Sequence, residues 1–308
     1  NGQITNYAEL KSELLTKQDY YLMRDLDTEV IMHYLSYELR GDDRPDLVQV
    51  FRNLSEKFDG AYNMVFLNAM GDMVVLRDPY GFRPLVLGRL GSAHVFASET
   101  TALNLIGAEF VRDIEAGEVV VIDDTGVHSH KPFREQQKRF CIFEYIYFSR
   151  PDSRVFGATV DRVRRRIGRQ LAEEHPAAAD VVISVPDSSN SIALGFAEAS
   201  GVPFELGLIR NHYVGRTFIQ PNQAGRDFGV RVKFNPVREV LEGKRVVVVD
   251  DSIVRGTTSR KLVRLLRRAG AREVHFRVGS PPVTHPCFYG IDTPSRRELI
   301  GALKTTEE

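Results

Sequence analysis

At 308 residues the chain has room for about two domains, and 43% hydrophobic with 27% charged residues excludes a disordered polypeptide. Its 41 basic residues balance 41 acidic ones, so bulk charge offers no grip on nucleic acid or on a membrane surface. No apolar run approaches the roughly 18 residues of a membrane span and no signal-peptide pattern opens the chain; the two cysteines, Cys141 and Cys287, are too few for a disulfide framework and point to a reducing cytoplasm.

Helical patterns run over residues 7–15 and 29–39, the second entered through Asp27-Thr28 as a cap. Residues 60–67 and 73–76 read as strands joined by an Asn-Ala-Met-Gly turn, and a further strand at 119–122 runs into the turn signal Asp123-Asp124-Thr125-Gly126. Residues 1–135 therefore read as an α+β domain with antiparallel hairpins, closed by a polar linker at 131–138. From 136 to 308 the character changes. Short Val/Ile runs at 181–185, 246–249 and 274–278 alternate with helical stretches at 191–199 and 257–269. Nearly unbroken apolar strands followed by amphipathic helices predict an α/β domain whose parallel sheet is covered on both faces. Ligands of such sheets bind beyond the carboxyl ends of the strands.

The strongest chemical signal lies at such an end, in RVVVVDDSIVRGTTS at 245–259. Two carboxylates, Asp250 and Asp251, can accept hydrogen bonds from vicinal sugar hydroxyls or position a hydrated metal. Ser252, Arg255, Gly256, Thr257, Thr258 and Ser259 follow, offering hydroxyls, successive backbone N–H groups and a helix N-terminus that suit a phosphate monoester. No GxxxxGK(S/T) string is present, so this is not a Walker A loop. The bland alternative is a buried strand followed by an Asp cap. A second turn, Pro186-Asp187-Ser188-Ser189-Asn190-Ser191, is by itself more readily a helix cap; beside the acid pair it reads as a second anion-binding turn. Arg210 to Lys233 carries five basic side chains against one acid, with glycines at 215, 225 and 229. It reads either as a solvated basic loop or as a mobile lid.

These strings resemble the phosphoribosylpyrophosphate (PRPP) motif of type I phosphoribosyltransferases. VVDDSIVRGTTS at 248–259, YVGRTFIQP at 213–221 and CFYGID at 287–292 together resemble the glutamine PRPP amidotransferases, iron–sulfur type, over nearly the whole sequence. The resemblance implies an N-terminal-nucleophile glutaminase domain followed by a phosphoribosyltransferase domain. It implies a cytoplasmic glycosyltransferase that makes 5-phosphoribosylamine and pyrophosphate from PRPP and glutamine-derived ammonia, the first step of de novo purine synthesis.

Residue by residue, the resemblance puts Asp187, Ser188 and Ser189 on the pyrophosphate of PRPP and 252–259 on its 5′-phosphate. Ser188, Asp250 and Asp251 would surround Mg²⁺, and Arg216 and Lys233 would belong to a lid. Asn1 and Gly2 would form the glutaminase oxyanion hole, Asp27 would hold the glutamine α-amino group, and Cys141 and Cys287 would be two of four ligands to a 4Fe–4S cluster. The family's nucleophilic cysteine and its carboxyl-terminal tail have no match here, so the sequence is expected to lack both ends of the family's chain. A homotetramer inhibited by purine nucleotides, with no nucleic-acid or membrane partner, is also implied. Two rivals are a PRPP-sensing regulator, which would need a DNA-binding domain, and a salvage phosphoribosyltransferase, which would not need the first domain.

Overall fold

The computed structural model describes residues 2–17, 21–41, 45–211, 233–293 and 295–305. Within them the chain divides into two units, Asn1–Cys141 with Cys287–Asp292, and Ile142–Pro286 with Thr293–Glu308. The junction lies six residues beyond the linker boundary read from composition, and one short downstream segment belongs to the first unit.

In the first unit β1 (Gly2–Ile4) leads to helices α1 (Tyr7–Lys17), α2 (Asp27–Glu38) and α3 (Leu47–Lys57). Strands β2 (Gly60–Leu67), β3 (Met73–Arg77), β4 (Val86–Leu90) and β5 (Ala93–Ala97) follow, then α4 (Thr100–Leu105), β6 (Glu109–Asp113), β7 (Val119–Asp123) and β8 (Gly126–His130). They form a five-stranded antiparallel sheet ordered β1-β2-β3-β7-β8 and a three-stranded one ordered β5-β4-β6. Alternation along β3 explains how the five-stranded sheet is covered twice. Val74 and Leu76 join the helical cluster of Leu14, Val30, Phe51 and Leu54, whereas Val75 packs with Leu85, Leu87 and Ile114. Each fully buried side chain of this size contributes roughly 1.5–3 kcal/mol. Helix α3 went unread in the sequence, although its apolar residues at 47, 50, 51 and 54 hold helical spacing and the Asp46 side chain caps it by accepting from the Val48 and Gln49 N–H groups.

The second unit carries β9 (Arg154–Val155), β10 (Ala158–Thr159), α5 (Val160–Glu174), β11 (Val181–Ser184), α6 (Asn190–Ser200), β12 (Leu208–Arg210) and β13 (Phe234–Pro236). After them come α7 (Arg238–Leu241), β14 (Arg245–Asp250), α8 (Thr257–Arg268) and β15 (Glu273–Val278). Strands β11, β14 and β15 make the parallel sheet that the Val/Ile runs predict. Val246 and Val248 face Leu241, Leu262 and Leu266, while Val247 and Val249 face Leu171, Ile192 and Phe196. A strand buried on both sides needs apolar residues at every position, which is why four valines run together. No helix among the described residues is long and apolar enough to cross a membrane.

Candidate active site

Parallel register brings the two acidic and hydroxylic turns side by side. Ser184 at the end of β11 pairs with Val249, so the chain leaves both strands at one level, into 185–190 on one side and Asp250-Asp251 on the other. The acids stay where the strand leaves them because the Gly279 and Ser280 N–H groups donate to the main-chain carbonyls of Asp250 and Asp251 at 2.9 and 2.8 Å. The Ser188 hydroxyl donates to the Asp251 carboxylate, the Ser252 hydroxyl donates to its other oxygen at 2.6 Å, and Ser189 reaches Asp250 at 3.3 Å. Ser189 is fully buried, and Asp250 and Asp251 are 9% and 5% exposed. Burial first, and the Asp251 charge second, push the Asp250 carboxyl up to about 7. Two carboxylates this close and this dry are a poor arrangement for an empty protein and a good one for a divalent cation.

Around this centre the other expected contacts take varied positions. Asp187 forms an ion pair with Arg210 at 2.8 Å, and the peptide before it is cis. Gly256 is the left-handed N-cap of α8, Thr257 and Thr258 stand exposed in its first turn, and Ser259 donates to the Gly256 carbonyl at 3.0 Å. The first N–H groups of a helix have no acceptor within it, so this turn presents donors as the sequence suggests. Arg255 is half-exposed and paired with Glu298 at 3.1 Å. Lys233 is exposed, its ammonium 5.6 Å from the centroid of the Phe234 ring. Asn1 and Arg216 lie outside the described residues.

On the first unit Gly2 lies in β1, in register with Tyr62 of β2. Its φ is +111°, and a Cβ there would sit 2.0 Å from the Ala61 carbonyl oxygen, so only glycine fits. Asp27 is the first residue of α2 rather than its cap. Leu26 takes the cap position without a side-chain bond, and the Asp27 carboxylate instead accepts the Ile4 N–H at 3.2 Å. That bond ties the expected glutamine-binding acid to the strand that carries Gly2.

Cys141 and Cys287 are both half-buried thiols of this unit. The buried Arg83 guanidinium donates to the Cys141 sulfur at 3.5 Å and to the Tyr289 carbonyl at 3.4 Å, and the Tyr289 N–H donates to the Cys287 sulfur at 3.3 Å.

Residues 1–105 match the family described as Glutamine amidotransferase domain, and residues 160–279 match Phosphoribosyl transferase domain. The whole chain aligns at 53% identity with 54% of amidophosphoribosyltransferase 1, chloroplastic, of Arabidopsis thaliana. It aligns at 46% identity with 68% of the amidophosphoribosyltransferase of Methanocaldococcus jannaschii. The chain belongs to the amidophosphoribosyltransferase family. Its fold superposes on the solved glutamine PRPP amidotransferase from B. subtilis complexed with ADP and GMP, with a TM-score of 0.90 at 48% identity, covering all of this chain and 66% of that one. The chain spans 54% and 53% of the length of the Arabidopsis thaliana and Glycine max relatives.

For this amidophosphoribosyltransferase relative, sequence reasoning found the acid pair and the serine turn but missed their braces. Arg210 was read as one basic residue of a loop, yet it is the last residue of β12 and the partner of Asp187. The Ser191 hydroxyl donates to Asp161 at 2.6 Å, fixing the start of α6 on α5. Arg83 is the side chain that reaches from Cys141 to the Cys287 segment. Among the described residues no group of three His, Cys, Asp or Glu side chains is arranged to hold a metal. The acid pair with its serines still fits a divalent cation, which takes much of its shell from water and ligand phosphates. Cys141 and Cys287 fit half of a four-thiolate site, and the sequence holds no third cysteine.

Proposed function

We propose that this chain carries the two halves of an amidophosphoribosyltransferase, a pentosyl transferase that makes 5-phosphoribosylamine and pyrophosphate from PRPP and ammonia released from glutamine, opening purine synthesis. The observation that carries this reading is the convergence of Ser188, Ser189, Asp250 and Asp251 at one end of a parallel sheet. Asp250 and Asp251 orient the ribose hydroxyls, the 252–259 turn and the start of α8 hold the 5′-phosphate, and Asp187 to Ser189 line the pyrophosphate. Arg216 and Lys233 supply lid charge.

Ser188, Asp250 and Asp251 would hold Mg²⁺, which neutralises diphosphate charge and so favours pyrophosphate as a leaving group. The protein's own part is positioning and electrostatics: it holds the ribose so that ammonia meets C1′ opposite the departing pyrophosphate, and keeps water from the electron-poor carbon. In the first unit Asn1 and Gly2 donate to the oxyanion of the glutamine amide and Asp27 holds the glutamine ammonium. We assign the attacking nucleophile to no residue of this sequence. Cys141 and Cys287 would give two thiolates to a 4Fe–4S cluster, through which we route no chemistry.

A reducing, cytoplasm-like compartment suits the two thiols, although several matched relatives are named chloroplastic. Inhibition by purine nucleotides is supported by the ADP and GMP bound in the B. subtilis structure, and a homotetramer is proposed beside it. The test is product analysis on the full-length protein with Mg²⁺, PRPP and either glutamine or ammonia. Phosphoribosylamine with stoichiometric pyrophosphate is expected; a nucleotide formed from free base, or PRPP binding without turnover, would overturn the assignment.

A further inference from the structure

The Cys287–Asp292 segment folds with the first unit, and its glycine meets the strand of the expected oxyanion hole. A Cβ on Gly290 would lie 2.9 Å from the Gly2 carbonyl carbon and 3.1 Å from its Cα and O. Gly290 itself has φ +97°, a conformation that favours glycine. Since a Cβ on Gly2 would strike Ala61, the Gly2 peptide is held between two backbones, that of β2 and that of Gly290.

Contacts around this pair close into a ring. The Asp78 N–H donates to the Tyr62 carbonyl at 2.9 Å, and Tyr62 is the register partner of Gly2. The Asp78 carboxylate accepts the N–H groups of Tyr80 and Gly81 at 3.0 and 2.8 Å, shaping the turn that leads to Phe82 and Arg83. The Phe82 ring stacks on Tyr289 with centroids 4.4 Å apart and planes at 26°. Arg83 holds the Tyr289 carbonyl, and the next residue is Gly290. Both sides of the Gly2 peptide are thus fixed by parts of one unit.

We propose that Gly290 is a positioning residue for glutamine hydrolysis: it buttresses Gly2 so that the oxyanion donors keep their place as charge develops. Donors of this kind work through preorganisation, and small displacements are felt in the chemical step rather than in substrate binding. The proposal rests on the reading of Gly2 as part of the oxyanion hole.

The test uses the full-length protein carrying Gly290→Ala, whose added methyl group must displace Gly2 or Gly290. We expect kcat for glutamine hydrolysis to fall on the order of 10- to 100-fold, with KM for glutamine unchanged and ammonia-dependent pyrophosphate release retained. Tyr289→Leu removes the stacked ring without adding atoms at Gly2, and should lower the same kcat by a smaller factor even if the alanine variant does not fold. Wild-type kcat with glutamine in either folded variant would overturn the role of Gly290. Failure of the wild-type protein to hydrolyse glutamine while still using ammonia would instead overturn the oxyanion-hole reading, and this inference with it.

Discussion

In the second unit the side chains expected to act on one ligand come from two turns that leave neighbouring strands at the same level, and they already touch. In the first unit the expected residues come from separate places: Gly2 on an edge strand, Asp27 at the start of α2 and Gly290 far along the chain. There the contacts are a main-chain N–H held by the Asp27 carboxylate and close backbone packing, rather than side chains meeting. Thus one site is written in the order of its residues, whereas the other exists only after distant segments are folded against each other. The first should be destroyed by changing charges, and the second by small displacements.

The largest effect expected from this contrast is the separation of the two activities. Replacing Asp250 and Asp251 together by Asn should lower ammonia-dependent transfer on the order of 1,000-fold while leaving glutamine hydrolysis intact. Pyrophosphate and glutamate assays on one preparation check both. The mirror-image variant is Asp27→Asn, which keeps an acceptor for the Ile4 N–H but loses the charge offered to an ammonium. KM for glutamine should rise about 10- to 100-fold, with ammonia-dependent turnover unchanged. If both donors suffered equally, the acid would belong to the framework alone.

Two buried acids sharpen the comparison through pH. Burial pushes Asp78 up to about 6 and Asp250 up to about 7. In each case the folded state binds the proton more tightly than the unfolded chain, so stability is full below the ordinary carboxylate range and is lost as pH rises through these values. For Asp78 the loss is of order 3 kcal/mol between about pH 4 and 6.5. Asp78→Asn should flatten the pH dependence of thermal unfolding of the first unit. Mg²⁺ with PRPP should relieve Asp250 and leave the Asp78 contribution in place. A slope that survives Asp78→Asn unchanged would mean that the carboxylate finds a partner beyond the turn it caps. The smallest effect is expected at Asp46→Ala, where loss of the α3 cap should cost about 1 kcal/mol and move neither activity, as calorimetry beside the two assays would show.

How much was legible follows from the same contrast. The Val246–Val249 run, the acid pair and the serine turn announced a parallel sheet and the two turns at its carboxyl end because residue type and spacing carry that information directly. Strands β2, β3 and β7 were readable from apolar runs and turn residues, whereas β8, polar along most of its length, was not. Helix α5 was missed: its first half, Asp161 to Arg166, is dominated by charge, so its apolar positions were not singled out. Gly290 could be read as part of a family string but not as a neighbour of Gly2, nor Arg83 as a neighbour of Cys141, because contacts across 58 residues or more leave no local pattern. Asp27 was read as a cap since Asp followed by Thr before an apolar helix commonly is one, but the Ile4 N–H competes for its carboxylate.

The central claim is that Ser188, Asp250 and Asp251 form the cation and PRPP site, and calorimetric titration with Mg²⁺–PRPP tests it most directly. We expect wild-type protein to bind, and the Asp250→Asn, Asp251→Asn double variant to lose that affinity while keeping its fold by circular dichroism. Unchanged Mg²⁺–PRPP affinity in the folded double variant would contradict the account.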